Sequence, residues 1–248
     1  MRHLRGVPGV VVASSMGLLT FYCATSAMAR AAVKLESLPA GVMLPVSLEQ
    51  RLDAGHVRAG EAITARLMQR VPLADGYYLS PKARVMGTVV AYDGGSLTLR
   101  FERLRLGHEQ QPLHVKLLAA GHWFEVGQTK VPLEAADRAL SNPWDWTTKQ
   151  IGGDEVYRSG GSGAVYDRYS ERVGHADAYG VYAPSQTPGA PALAMGPFST
   201  SAHGVYGLPG TEIASPGGAE SPIVLRLTSP KWQLHGGTAL LLQTAGNP

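Results

Sequence analysis

Short segments of alternating hydrophobic and polar residues run through the chain from residue 38 to residue 119. The clearest alternation lies between Val42 and Leu52, and the same period of two recurs from Arg84 to Tyr92 and from Ser96 to Leu106. Because successive side chains of a strand point to opposite faces of a sheet, this period is typical of strands with one buried face. The pattern therefore predicts half-buried strands at all three places.

A fourth segment, Glu61 to Val71, alternates in the same way but is ambiguous. Its Ala, Arg, Leu, Met and Gln residues all form helices well, so a helix is the alternative to a strand. Gly60 before the segment and Pro72 after it favour the strand. In the first strand, Pro45 has no N–H to donate, which predicts that it lies in an edge strand or at the start of a strand.

Tight turns separate the predicted strands. Asp93 to Gly95 is a strong hairpin signal, because glycine readily adopts the positive φ that two-residue hairpin turns require. Gly107 to Gln110 predicts a second hairpin, with Pro112 to Ala119 as its return strand. Sequential strands joined by tight turns form an antiparallel sheet, and closing that sheet removes its exposed edges. The predicted fold class is mainly β, a small antiparallel β-barrel or sandwich.

The composition changes after residue 121. Val126 to Asn142 is polar and without a pattern, and from Ser159 to Pro222 the chain is rich in Gly, Ala, Ser, Pro and Tyr. Such a composition buries little apolar surface per residue. It predicts a long Gly/Pro-rich insertion made mostly of loops, with mobile structure around Ser185 to Met195.

Regular patterns return near the C-terminus. Ile223 to Thr228 alternates, and Ala239 to Gln243 is a short apolar run. These strands are predicted to return to the first sheet and to close it, so that residues 38–248 form a single barrel-like domain with an insertion. The alternative is a separate C-terminal domain from Thr147 onward.

Residues 1–29 have the layout of a secretory signal peptide. Arg2 and Arg5 supply positive charge, an apolar segment follows, and Ala-Met-Ala at residues 27–29 forms a cleavage site. Residues 30–37 would then be a short flexible segment before the domain. The alternative is that the apolar segment is retained as a membrane anchor, although it is short for a span of about 20 residues. No later apolar run is long enough for a transmembrane helix.

Cleavage would change the cysteine content and the charge of the chain. It would remove Cys23, which is the one cysteine of the sequence. Without Arg2 and Arg5, 20 of the 22 Lys and Arg residues remain against 19 Asp and Glu residues, a net charge of +1. Nucleic-acid binding needs clustered positive charge. The sequence contains no run of Lys and Arg, so no nucleic-acid partner is expected, and the oligomeric state stays open.

Motifs that would identify a catalytic or metal site do not occur in the sequence. There is no His-Glu-x-x-His pattern and no serine in a Gly-x-Ser-x-Gly turn. His175 and Asp177 are two residues apart and could share an ion, but polar residues in a glycine-rich segment are more often solvated. The sequence therefore predicts no catalytic residue, no metal ligand and no cofactor.

An aromatic island near residue 145 is the best candidate for a binding site. Trp144, Trp146 and Tyr157 could stack on a sugar ring, because aromatic side chains combine a large apolar face with a polar edge. The acidic residues near them are Asp145, Asp154 and Glu155. The alternative is that the two tryptophans fill the open end of the barrel, since large aromatic side chains are usually buried.

Several short segments carry a resemblance to known families. They are Leu-Pro-Ala-Gly at 38–41, Leu-x-Pro-Lys-Ala-Arg-Val-x-Gly at 79–87 and Leu-Arg-Phe-Glu-Arg-Leu-Arg-Leu-Gly at 99–107. Through them, residues 38–119 resemble the C-terminal β-barrel of the conjugal-transfer (type IV secretion) outer-membrane-core proteins, which implies a barrel and a link to secretion. Gln-Ile-Gly-Gly-Asp-Glu-Val-Tyr-Arg at 150–158 resembles a segment of an uncharacterised family of secreted bacterial β-rich proteins, which implies export.

These observations together predict a non-enzymatic, exported envelope or periplasmic β-barrel protein with a structural or interaction role. Its expected partners are envelope proteins or glycans. Its expected location is periplasmic or extracellular, with association to the outer membrane as a further option. The first alternative is a secreted protein that binds or cleaves carbohydrate. The second alternative is an accessory of a secretion or conjugation apparatus.

Overall fold

The computed structural model describes residues 38–122, 131–132, 146–159 and 162–246. The predicted signal peptide at 1–29 and the predicted flexible segment at 30–37 lie outside the described residues. In the described part of the chain, no helix has both the length and the hydropathy that crossing a lipid bilayer requires.

The described chain is built from β-strands. Its first part contains β1 (Met43–Leu48), β2 (Leu52–Asp53), β3 (Ala62–Leu67), β4 (Val71–Pro72), β5 (Tyr78–Leu79), β6 (Arg84–Tyr92), β7 (Ser96–Leu106), β8 (Glu109–Pro112) and β9 (Val115–Gly121). The middle part contains β10 (Val131–Pro132), β11 (Trp146–Lys149), β12 (Glu155–Ser159), β13 (Ser162–Tyr166), β14 (Arg172–Asp177), β15 (Gly180–Ala183) and β16 (Leu193–Ala194). The last part contains β17 (Gly204–Tyr206), β18 (Thr211–Ser215), β19 (Gly217–Gly218), β20 (Ile223–Leu227), β21 (Gln233–Leu234) and β22 (Ala239–Thr244).

Nine of these strands form a nearly closed, barrel-like sheet in the order β17-β9-β22-β1-β3-β6-β7-β20-β18. One segment, residues 211–218, brings the two ends of this sheet together. At its start β18 pairs with β20, and at its end β19 pairs antiparallel with β9. The predicted fold class is thus confirmed, and the C-terminal strands β20 and β22 belong to the same sheet as β1.

Strand β1 lies inside the sheet, between β22 and β3. The prediction that Pro45 marks an edge strand or a strand start is therefore wrong. Pro45 is tolerated because the ladder between β1 and β3 begins one residue later, where Val46 pairs with Leu67. The Pro45 carbonyl accepts the Met68 N–H at 2.9 Å. The nitrogen and the carbonyl of a strand residue face the same neighbouring strand, which for Pro45 is β3. The N–H that proline lacks would therefore lie just beyond the last paired residues, Val46 and Leu67.

The turn between β6 and β7 is the hairpin that the sequence predicts at Asp93. Gly94 has φ +88°, and the Asp93 carboxylate accepts the N–H groups of Gly95 at 2.9 Å and of Ser96 at 2.6 Å. The Ser96 hydroxyl donates to the same carboxylate at 2.8 Å. This hydroxyl first, and the backbone N–H groups after it, hold the pKa of Asp93 below its usual value.

The inside of the barrel holds one hydrophobic core, to which β1, β3, β6, β7, β9, β20 and β22 contribute buried residues. In β1 the inward residues Leu44, Val46 and Leu48 are at most 2% exposed. Trp232 belongs to the same core, and its indole N–H donates to the Tyr92 hydroxyl at 3.1 Å. The apolar residues of the alternating sequence pattern therefore face this core, and the polar residues face the outside of the barrel.

A second core covers the outside of β1, β9 and β22. It is formed by Met43, Ala119, Ile151, Ala183, Met195, Phe198, Ala202, Ala239 and Leu241. Residues of the insertion supply its outer half. Because β22 is buried on both faces, its sequence is a continuous apolar run and not an alternating one.

The described part of the insertion differs from the loops that its composition predicts. Strands β10 to β16 form a seven-stranded antiparallel sheet, called here the second sheet. Leu193–Ala194 pairs with β15, so the end of the segment predicted to be mobile is a strand. Small residues let these strands approach closely, since a Cβ on Gly163 would lie 2.1 Å from the Tyr157 carbonyl oxygen. Backbone ladders hold this sheet together although it buries few large apolar side chains.

Gln69, between β3 and β4, joins the barrel to the second sheet. Its side chain is buried. The amide nitrogen donates to the Val181 carbonyl at 2.9 Å, and the amide oxygen accepts the N–H groups of Val181 at 2.9 Å and of Gly196 at 3.0 Å. A Cβ on Gly180 would lie 2.5 Å from the Gln69 side chain, so glycine is required there. The Gln69 amide thus makes the same donor and acceptor hydrogen bonds to the Val181 backbone that a neighbouring strand would make.

Arg70, the next residue, adds a second set of contacts. Its guanidinium lies 4.0 Å from the centroid of the Tyr78 ring and 3.5 Å from that of the Tyr179 ring, within the range of cation–π attraction. The Arg70 carbonyl accepts the Tyr182 hydroxyl at 3.2 Å. Burial is the main cause that raises the pKa of Tyr182 to about 12, so this hydroxyl keeps its proton and donates at neutral pH.

We expect Gln69→Ala to lower the free energy of unfolding by about 2–4 kcal/mol, because the N–H groups of Val181 and Gly196 lose their shared acceptor, the Gln69 amide oxygen. Urea unfolding followed by circular dichroism measures the change. The control is Gln186→Ala at an exposed position, which should stay within about 0.5 kcal/mol of the unchanged protein. Equal stability of the two variants would contradict the role given to the Gln69 amide.

Candidate functional site

The segment from Gln150 to Asp154 fixes the candidate site on the barrel. The Gln150 amide nitrogen donates to the carbonyls of Gly196 at 3.1 Å and Phe198 at 2.8 Å. Ile151 forms a parallel bridge with Phe198, and both side chains are 0% exposed. The segment directly before β12 is therefore buried and held in place, and it is called here the anchor.

Two glycines turn the chain between this anchor and β12. Gly152 has φ +106° and Gly153 has φ +114°. A Cβ on Gly152 would lie 2.1 Å from the Ser199 hydroxyl oxygen, whereas nothing lies within 4 Å of the corresponding position on Gly153. Asp154 completes the anchor, since its carboxylate accepts the N–H and the hydroxyl of Thr200, both at 2.9 Å.

The register of β11, β12 and β13 places charged and aromatic residues side by side. Lys149 pairs with Glu155, and Glu155 pairs with Tyr166. Paired residues of antiparallel strands share a face, and Tyr157 lies two residues after Glu155 on the same face. The partner of Tyr157 on β13 is Ala164, whose small side chain leaves room for the Tyr157 ring to reach Tyr166.

These side chains line an open groove of about 480 Å³, called here the tyrosine groove, with Lys149, Glu155, Tyr157 and Tyr166 on the strands. The rings of Tyr157 and Tyr166 meet edge to face, with centroids 5.6 Å apart and planes at 81°. Tyr157 is 40% exposed. Part of an aromatic ring is therefore available to a ligand.

Glu155 is the polar centre of the groove. Its carboxylate accepts the Tyr157 hydroxyl at 2.7 Å, and its other oxygen lies 3.6 Å from the Lys149 ammonium. The hydrogen bond to Glu155, followed by burial, raises the pKa of Tyr157 above its usual value. The groove thus combines a carboxylate, an ammonium group and two phenol rings.

The turn between β13 and β14 forms one wall of the groove. Asp167 shapes it, because its carboxylate accepts the N–H groups of Tyr169 at 2.8 Å and of Glu171 at 2.9 Å. Ser170 takes the left-handed conformation, with φ +64°. The Arg168 guanidinium lies 4.8 Å from the centroid of the Tyr169 ring. Side-chain-to-backbone hydrogen bonds of this kind fix short turns.

Of the three binding residues predicted from the sequence, Tyr157 lies in the groove. Trp144 lies outside the described residues. Of Trp146 the structure describes the backbone, which pairs with Arg158, whereas Tyr157 pairs with Thr147. Trp146 and Tyr157 therefore do not occupy facing positions in the ladder. A shared stacking surface of the three residues, and the alternative in which the tryptophans fill the barrel, both stay predictions.

Two residues of the groove, Tyr166 and Lys149, are missed by sequence reasoning. The sequence does contain a signal for them, since Glu155 and Tyr157 alternate on one short segment and Ala164 and Tyr166 alternate on the next. What brings them together is the pairing of these two segments, which a period of two does not specify.

The adjacent acids Asp154 and Glu155, considered for glycan cleavage, make separate contacts. Asp154 is buried and binds Thr200, while Glu155 lies in the groove. They do not form the facing pair of carboxylates that glycoside hydrolysis uses. Asp145 lies outside the described residues.

The His175 and Asp177 pair has other contacts in the structure. The Asp177 carboxylate accepts the N–H groups of Tyr179 at 2.7 Å and Gly180 at 3.0 Å. The His175 ring stacks on Tyr182 with centroids 5.3 Å apart. The described residues contain no group of three or more His, Cys, Asp or Glu side chains that could hold a metal ion.

Comparisons with protein-family models, with curated proteins and with solved structures found no match for this chain. The resemblances of residues 38–119 and 150–158 therefore stay predictions from the sequence. Geometry and charge are what define the candidate site.

We expect Gly152→Ala to destabilise the protein more than Gly153→Ala does. Both substitutions strain a left-handed backbone by about 1–3 kcal/mol, but only the first also drives a methyl group into Ser199. The free energies of unfolding of the two variants, from urea titrations, measure the difference. If the two variants lose the same stability, the close packing of Gly152 against Ser199 is not important.

Replacing the charged neighbour of Tyr157 should change the titration of its phenol. In Glu155→Gln we expect the pKa of Tyr157 to fall toward its ordinary value of about 10, because a neutral amide no longer disfavours the phenolate. Ultraviolet pH titration, with the Tyr157→Phe protein subtracted to isolate one tyrosine, gives the value. An unchanged pKa would show that Glu155 does not control the phenol.

Proposed function

We propose that the protein is an exported, non-enzymatic binding protein of the bacterial envelope and that the tyrosine groove is its ligand site. The exported location rests on the signal-peptide layout of residues 1–29. The proposed site rests on one observation. The rings of Tyr157 and Tyr166 and the charges of Glu155 and Lys149 meet in one open groove.

Glycans of the envelope are the ligand class that this chemistry favours. The C–H face of a sugar ring can pack on an aromatic ring, and its hydroxyl groups can donate to a carboxylate and accept from an ammonium group. The Tyr157 ring offers the apolar contact, while Glu155 and Lys149 offer the acceptor and the donors. Apolar contact with a few convergent polar groups is the usual make-up of a small-ligand site.

The support beneath the groove favours a preformed site. Lys149, Tyr157 and Tyr166 all lie on strands. Ile151 of the anchor belongs to the second core, through which it packs against the barrel strands β9 and β22. A site held by strands and buried hydrogen bonds loses little freedom when a ligand binds. Weak contacts to a sugar can then give useful affinity.

The positions of the acidic residues favour binding of a glycan without its cleavage. Asp154 is occupied by Thr200 on the buried side, so Glu155 faces the groove without it. Hydrolysis of a glycosidic bond needs two carboxyl groups on opposite sides of that bond. The other acid that lines the groove, Asp167, holds the turn after β13 through the N–H groups of Tyr169 and Glu171.

Isothermal titration of the full chain with neutral, acidic and N-acetylated oligosaccharides tests the proposal. We expect binding of at least one class, and Tyr157→Ala and Tyr166→Ala should each weaken it about ten-fold through the loss of ring contact. Tyr77→Ala is the matched control, because Tyr77 is 41% exposed and lies outside the groove. No binding of any class would overturn the proposal, and release of shortened sugars would establish cleavage instead.

A further inference from the structure

A row of arginines crosses the outside of the barrel. Arg66 on β3 pairs with Arg84 on β6, and Arg84 pairs with Arg105 on β7. The inward partners beside this row, Ala65, Val85 and Leu104, are buried, so the three arginines occupy outward positions. The Cβ atoms of directly paired residues lie about 4.5–5.5 Å apart in antiparallel sheets. Three positive charges thus stand side by side across three strands.

Acidic residues neutralise this row only at its centre. The Arg84 Nε lies 3.0 Å from both carboxylate oxygens of Glu49. Among the described residues, no carboxylate lies within ion-pair distance of Arg66 or Arg105. Like charges that face each other on neighbouring strands destabilise a sheet, so the row carries a repulsion that an anionic partner would relieve.

Further groups extend the row into a surface, called here the arginine face. It consists of Arg66, Lys82, Arg84, Arg103 and Arg105. A groove of about 600 Å³ lies beside the row, between Arg66, Arg84 and Lys82. Met68, which is 37% exposed, lines the same groove. Apolar side chains thus stand beside the cations.

We propose that the arginine face binds the phosphate-bearing headgroups of an anionic membrane surface. The guanidinium group matches phosphate geometry through paired hydrogen bonds. A row of cations on a sheet suits an array of headgroups, and the exposed Met68 offers apolar contact at the headgroup boundary. A single nucleic-acid strand would instead need aromatic side chains for base stacking. The outward positions of β3, β6 and β7 next to the row hold none.

This surface is separate from the tyrosine groove, so the inference goes beyond the proposed function. No residue of the arginine face lines the tyrosine groove. The two proposals can therefore fail independently. Tyr157→Ala should leave membrane binding unchanged, and loss of the arginines should leave glycan binding unchanged.

Co-sedimentation of the full chain with vesicles tests the proposal. We expect binding to vesicles of equimolar phosphatidylcholine and phosphatidylglycerol, and little binding to phosphatidylcholine alone. The variant Arg66→Gln, Arg84→Gln, Arg105→Gln should bind about a hundred-fold more weakly, from about five-fold for each arginine near an anionic surface. Added salt should weaken the binding of the unchanged protein.

A matched control separates this face from overall charge. The variant Arg58→Gln, Arg172→Gln, Lys231→Gln removes the same charge from exposed positions away from the row and should keep most of the vesicle binding. The single variant Arg66→Gln, at an exposed position, should lose about five-fold while keeping the fold. It therefore provides the test if the triple variant does not fold.

Three results would overturn the proposal. The first is equal binding to vesicles with and without phosphatidylglycerol. The second is an equal loss of binding in the control variant. The third is arginine-dependent binding of a DNA oligonucleotide or of inorganic phosphate in place of vesicles, which would assign the face to a nucleic acid or to a single anion.

Discussion

Two side-chain amides, those of Gln69 and Gln150, satisfy main-chain groups where the second sheet meets the barrel. Gln69 serves Val181 and Gly196, and Gln150 serves Gly196 and Phe198. The Gln69 amide both donates and accepts, as a neighbouring strand would, whereas the Gln150 amide nitrogen donates to two carbonyls. Leaving these buried groups unpaired would cost more free energy than the hydrogen bonds themselves contribute. The second core and the tyrosine groove both depend on this junction, because β12 and β15 start next to it.

The second sheet explains why the composition of the insertion predicts loops where the structure has strands. A count of apolar residues measures the surface that can be buried, and this segment has little of it. Its strands are held by backbone ladders and by close approach at glycines such as Gly163 and Gly174. The barrel also supplies half of the apolar surface, since the outer faces of β1, β9 and β22 receive Ile151 and Phe198. Apolar residues of the insertion are thus buried against the barrel, which is another part of the chain.

Both proposed binding surfaces are products of cross-strand register. Glu155 meets Tyr166 because β12 and β13 pair at those positions. Arg84 meets Arg66 and Arg105 in the same way. The sequence contains no run of Lys and Arg, so this cluster of positive charge is not visible along the chain. Residues about twenty apart along the chain become neighbours in a sheet, so a search for local runs does not find them.

The sequence by itself determined the mainly β class, the strands β6 and β7 and the hairpin at Asp93 between them, because strand periodicity and turn chemistry are local properties. It also pointed to Tyr157 as a candidate binding residue. It was wrong about Pro45, because whether a strand lies at an edge depends on distant partners. Only the tertiary structure decided the strand order, the second sheet, and the meeting of Tyr157 with Tyr166 and of Arg66 with Arg84. These features depend on which strands pair and in which register, and pairing between distant segments is not encoded in any single segment.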